Sequence, residues 1–195
     1  MSILTKSQLT GFRNRTRTFQ KSITESLSEF HSESKSNKVT IFLSHKHNEI
    51  EELDATISLL KLLEVDVYVD WQDEEMPKET SGITASRIKQ KIRDNQKFIF
   101  LATEGAIASK WCNWELGYGD SQKYMKNIAL FPIKNDNQSY SGPEYMQIYP
   151  SIEYVFDNDL QYNESKNYVP KGYYVLDLAI NGTRNSITLV DWLNR

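Results

Sequence analysis

Short apolar runs alternate with amphipathic stretches from residue 38 to residue 157. VTIFLS (39–44), VDVYVD (65–70), KFIFLA (97–102), IALFPI (128–133) and SIEYVFD (151–157) are of strand length, rich in β-branched and aromatic residues. Between the first two, Ile50, Leu53, Ile57, Leu60 and Leu63 recur at three- and four-residue steps, which predicts the buried stripe of a helix. Asn48 with Glu51 three residues later fits a capping box ahead of it. Further helices are expected near 83–94 and 109–125, and a Gly/Pro/Asn/Ser-rich break covers 134–143. Strand and helix in regular alternation predict a doubly wound α/β domain with a central, mostly parallel five-stranded sheet.

The flanks carry weaker patterns. Leu9, Phe12, Phe19, Ile23, Leu27 and Phe30 predict an N-terminal helix over 6–31, followed by the polar linker SESKSNK at 32–38. GYYVLDLAI (172–180) and SITLVDWLNR (186–195) read as a strand and a closing helix without a secure place. The expected organisation is an N-terminal helix and linker (1–37), the α/β domain (38–157) and a C-terminal extension packed on it (158–195).

Composition narrows the function classes. The net charge of −3 offers no basic face for nucleic acid, and Lys6, Arg13, Arg15, Arg17 and Lys21 are offset by nearby Glu25, Glu29 and Glu33. One cysteine cannot form an internal disulfide, which suits a reducing compartment. No run approaches the roughly 20 apolar residues of a membrane span. A cytoplasmic location, with no nucleic-acid or membrane partner, is the expectation.

In parallel α/β sheets ligands bind beyond the carboxyl ends of the strands. That rule selects Ser44-His45-Lys46-His47 after the first strand, Asp70 onward after the second and Thr103-Glu104-Gly105 after the third, directly before the helix that holds SKWCNWELG (109–117). On a helix Trp111 and Glu115 share a face, whereas Trp114 points elsewhere, toward core packing. An indole beside a carboxylate excludes water and raises its pKa. The same spacing also fits an ordinary amphipathic helix with an exposed glutamate. His45 and His47, with Asp70 able to join them, raise a metal reading, but one histidine pair is few for a catalytic zinc site and the expectation is no metal. Cys112 has no adjacent histidine base and reads as a core thiol. No Gly-x-Gly-x-x-Gly or Walker-type loop is present.

VTIFLSHKH, VYVDWQDEEMP and SKWCNWELG, in that order, resemble a Toll/interleukin-1 receptor (TIR) domain over about residues 38–157. The whole chain is most similar to bacterial TIR proteins of the Thoeris anti-phage defence type. The resemblance implies a flavodoxin-like fold and cleavage of NAD at its nicotinamide glycosidic bond, with NAD as substrate and no separate cofactor. It places Glu115 at the catalytic position. It brings Ser44, His45, Lys46, Asp70, Trp71 and Trp111 to the nucleotide, although His45 and Lys46 read equally as solvated turn residues and Asp70 as a turn cap. Homo-oligomers formed through TIR–TIR contacts, an ADP-ribose-derived signal and a product-sensing effector protein follow from the same resemblance. A non-enzymatic assembly module is the alternative.

Overall fold

The computed structural model describes residues 1–11, 38–70, 81–140, 142–156, 168–178 and 184–195. All five expected strands form: β2 (Thr40–Ser44), β3 (Asp66–Tyr68), β4 (Lys97–Ala102), β5 (Ile128–Lys134) and β6 (Ser151–Val155). They are parallel, in the order β3-β2-β4-β5-β6. The register sets Phe42 beside Phe98 and Phe100 beside Leu130.

The sheet is wider than expected. The tail supplies β7 (Gly172–Leu178) and β8 (Arg184–Thr188), which extend the β6 edge as antiparallel strands. Antiparallel neighbours need no helical crossover, so a short tail can add two strands. The segment read as one closing helix therefore splits at Thr188, whose hydroxyl accepts from the Asp191 amide and caps a short helix, Leu189–Leu193. At the other terminus β1 (Leu4–Thr5) pairs in parallel with the end of β5, bringing the sheet to eight strands among the described residues.

α1 (Lys6–Thr10) follows β1 behind a capping box formed by Thr5 and Gln8. Leu4 and Leu9 are fully buried against the sheet, and Lys6 Nζ lies 2.9 Å from Glu52 Oε1. The rest of the expected 6–31 helix lies outside the described residues.

Strand periodicity divides the core. Ile41, Leu43, Ile99, Leu101, Ala129 and Phe131 face α2 (Ile50–Lys61) with its Leu53, Ile57 and Leu60. Phe42, Phe98, Phe100, Ile128 and Leu130 face α3 (Gly82–Asp94) and the later helices, meeting Ile88, Ile92, Cys112 and Leu116. Alternate residues thus serve opposite layers, as a doubly wound sheet requires. Residues 104–122, where one helix was expected from 109, hold two: α4 (Glu104–Ala108) and α5 (Lys110–Gln122). Among the described residues, no helix is long and apolar enough to cross a membrane.

The Asn48–Glu51 capping box does not form. Glu49 is the N-cap of α2 and makes no side-chain cap. Its carboxylate instead accepts from the Thr103 hydroxyl and the Gly105 amide, at the start of α4.

After α2 the chain turns through Glu64 at φ 57°, a left-handed conformation that costs an L-residue with a side chain about 1 kcal/mol. Glu64 is exposed. Glu64→Gly is expected to stabilise the protein by about 0.5–1 kcal/mol, read from the urea midpoint at unchanged slope.

Candidate active site

The carboxyl ends of β2, β3 and β4 open toward the first turns of α5. Ser109 caps α5 by accepting from the Cys112 amide, and the helix then carries Trp111 and Glu115 on one face. Glu115 is 2% exposed. Its Oε2 accepts a 2.5 Å hydrogen bond from Ser44 Oγ at the end of β2, and the Trp111 side chain donates to the same carboxyl group. Glu115 is therefore interior and held by two donors, against the alternative of an exposed glutamate on an ordinary amphipathic helix.

Burial pushes the Glu115 pKa well above the ordinary carboxylate range, and the nearby Asp70 charge pushes it further; the bonds from Ser44 and Trp111 work in the opposite direction. Asp70, 5% exposed, ends the β3 side of the crevice. Burial is the largest single influence and opposes its charge, but the hydrogen bond from His47, the nearby His45 and His47 imidazoles and its own backbone amide together hold Asp70 below its usual pKa. His47 Nε2 lies 3.6 Å from Asp70 Oδ2. His45 is 2% exposed and its Nδ1 bonds to the Leu43 carbonyl; burial lowers its pKa and keeps it neutral.

The structure thus brings Ser44, His45, Asp70, Trp111 and Glu115 to one crevice. Lys46 follows in the turn and is half-buried. Trp71 lies outside the described residues. Trp114 is half-buried and packs against the core on that side of the sheet, as expected. Its ring lies between those of Trp111 (4.9 Å between ring centroids) and Tyr118 (6.1 Å), with the Lys89 ammonium over the Trp114 and Tyr118 rings. Three aromatics at positions 111, 114 and 118 form a continuous seam over that core, and Trp114 closes one side of Trp111.

Cys112 is buried and its Sγ donates to the His45 carbonyl at 3.2 Å. Burial pushes its pKa up to about 12, so the thiol stays protonated and is not a nucleophile. Two contacts escaped the sequence reading. The Ser44–Glu115 bond joins residues 71 apart, and Tyr145 donates to Asn113 on α5 from a turn 32 residues away. Neither has a local sequence signal.

An interior carboxylate with two fixed donors and an aromatic wall suits stabilisation of positive charge developing on a ligand, because water does not screen it. Removing one donor tests this. Ser44→Ala should raise the Glu115 pKa further, since a bond to the charged form is lost. Any activity that needs the ionised carboxylate then has its acid limb displaced to higher pH, with rates about 10–100-fold lower at neutral pH. A pH–rate profile of the variant against the parent reads both.

The chain is 30% identical over 125 residues to a protein of Bacillus cereus (strain MSX-D12) named probable 3′ cyclic ADP-D-ribose synthase ThsB′, covering 60% of this chain and 62% of that one. It is 23% identical over 117 residues to a putative cyclic ADP-D-ribose synthase TIR2 of Cytobacillus dafuensis, covering 52% of this chain and 31% of the other. The chain therefore spans less than two thirds of the length of either relative. The family model described as TIR domain matches residues 41–167, nearly the whole parallel sheet and every described side chain of the crevice. With that match on an α/β sheet of this order, the chain belongs to the TIR domain family.

Proposed function

We propose that this protein cleaves NAD between nicotinamide and ribose and closes the remaining ADP-ribose into a cyclic product, as a signal in bacterial anti-phage defence of the Thoeris type. The observation that carries the reading is Glu115, an interior carboxylate fixed by Ser44 and Trp111. Both relatives are named as cyclic ADP-ribose synthases, which supports the product class.

The chemistry asks little of the protein. Nicotinamide leaves a cationic pyridinium as a neutral molecule, taking the glycosidic electron pair, so no acid is needed to protonate it. Positive charge appears on the ribose as an oxocarbenium ion, and one preorganised carboxylate against that sugar stabilises it. O-glycosidases, whose leaving oxygen must gain a proton, generally need two carboxylates. A nucleophile from the same molecule then bonds to the anomeric carbon and releases its proton, giving a cyclic ADP-ribose. Water in its place gives the linear product. A dry crevice favours the first outcome, and the seam formed by Trp111, Trp114 and Tyr118 helps to keep it dry.

Trp111 and Ser44 position Glu115, while His45, Lys46, Asp70 and Trp71 contact the nucleotide. NAD is substrate and no separate organic cofactor is used. The working form is a cytoplasmic homo-oligomer made by TIR–TIR contacts, and a product-sensing effector protein receives the signal.

The experiment is incubation of concentrated protein with NAD, following nicotinamide by chromatography and the second product by mass. Nicotinamide together with a product whose mass equals NAD less nicotinamide supports cyclisation. A product heavier by one water means hydrolysis. Absence of nicotinamide, both from concentrated protein and from phage-challenged cells, would leave an assembly module.

A further inference from the structure

We propose that His45, His47 and Asp70 form a three-ligand site for a divalent transition-metal ion of the zinc class, beside Glu115 in the crevice. Each residue offers one ligand atom, and the three atoms lie within 4.8 Å of one another. They come from two adjacent parallel strands: the turn after β2 supplies the histidines and the end of β3 supplies the aspartate.

His45 is the strongest indication. Its Nδ1 lies 3.1 Å from the Leu43 carbonyl, which can only accept, so Nδ1 carries the proton and Nε2 presents a lone pair. That Nε2 is buried and has no hydrogen-bond partner among the described residues. A buried acceptor left unsatisfied costs about 1–3 kcal/mol. A ring nitrogen held by a backbone carbonyl, with the other nitrogen left to coordinate, is the arrangement that orients metal-binding histidines. The His47–Asp70 ion pair alone gives His45 Nε2 no role; an ion bound by all three residues does.

Ligands of a tetrahedral ion at zinc distances stand about 3.3 Å apart. His47 and Asp70 are already at 3.6 Å, so modest closure completes the triad. Because His47 is exposed while its partners are interior, it is the ligand with room to move. Two imidazoles and one carboxylate favour zinc-like ions over magnesium or calcium, which take oxygen ligands. Among the described residues, Glu115 is committed to Ser44 and Trp111, Glu49 to Thr103 and Gly105, and the Cys112 thiol to the His45 carbonyl. Three protein ligands leave a position for water or a ligand oxygen. That a phosphate oxygen of NAD takes it rests on the function proposed above, whereas the ion site does not.

The test uses the full chain without an affinity tag, stripped of metal by a chelator and titrated by calorimetry with Zn²⁺ and, separately, Mg²⁺. Co²⁺ serves as an absorption probe of nitrogen coordination. One equivalent of Zn²⁺ should bind, Mg²⁺ should not compete, and His47→Ala and Asp70→Asn should each weaken Zn²⁺ at least about tenfold and abolish the Co²⁺ bands. His47→Ala changes an exposed side chain, and its circular dichroism should match the parent. Glu115→Gln should bind Zn²⁺ as the parent does, so loss of NAD turnover and loss of metal are separable. No saturable Zn²⁺ binding, Zn²⁺ binding unchanged in His47→Ala, or Mg²⁺ binding as tight as Zn²⁺ would each overturn the proposal.

Discussion

Glu115→Gln should lower nicotinamide release by about a thousandfold and at the same time make the protein more heat-resistant at neutral and alkaline pH. The loss of rate follows because a neutral amide of the same shape cannot stabilise a cationic ribose, and one preorganised electrostatic contact in a dry site is worth about 10²–10³ in rate. The gain in stability follows from burial. The folded-state pKa of Glu115 is raised, with burial the leading cause and Asp70 the second. Its contribution to stability is therefore fully present below the ordinary carboxylate range and is lost as pH rises through the raised value. Glutamine has no charge to bury and escapes that loss. In chelator-treated buffer, the melting temperatures of parent and variant should lie close together near about pH 4 and separate as pH rises, by about 2–4 °C for each kcal/mol relieved. Melting curves across that range test the sign. A variant less stable than the parent at every pH would mean that the carboxylate charge is fully compensated in the folded protein.

The second large effect is structural. Phe98 is fully buried on the central strand β4, stacked on Phe42 at 5.6 Å between ring centroids. A methyl group added at Gly119 would approach its ring to 3.1 Å. Gly119 lies one turn beyond Glu115 on α5, so the Phe98 ring sets how closely that helix approaches the sheet. Phe98→Ala is expected to cost about 3–5 kcal/mol in urea unfolding, and to reduce activity even where the variant remains folded. Gly119→Val, which drives a branched side chain into the same ring, should cost about 1–3 kcal/mol. Combined, the two should cost less than their sum by more than about 0.5 kcal/mol, because the cavity left by one receives the added volume of the other. Strict additivity would show that the helix and the ring do not share that space.

The layered fold was legible because it rests on short-range periodicity. Alternation along 39–44, 97–102 and 128–133 marks residues that serve two helical layers, and the structure divides Ile41 and Leu43 from Phe42 accordingly. The α2 stripe was legible for the same reason. The edges of the sheet were not. β1 is two residues long, and β7 with β8 differ from a strand and a helix only in where the chain turns back. Strands of that kind are stabilised by pairing with an existing edge, which sequence periodicity does not encode.

At the site, SKWCNWELG and the residues after the first strand placed Trp111, Glu115, Ser44 and His45 in one region by motif and by the rule of strand ends. Sequence alone thus determined the family, the layer architecture and the candidate glutamate, since these depend on residue type and local spacing. Tertiary structure decided the rest. It turned Glu115 inward onto Ser44, seated Trp114 in an aromatic seam, moved the Glu49 carboxylate to α4, and set Asp70 against His47 and close to His45. Each of these joins groups on different elements. Their energies depend on burial and on distances of a few ångströms, quantities that exist only after the sheet has brought its strand ends together.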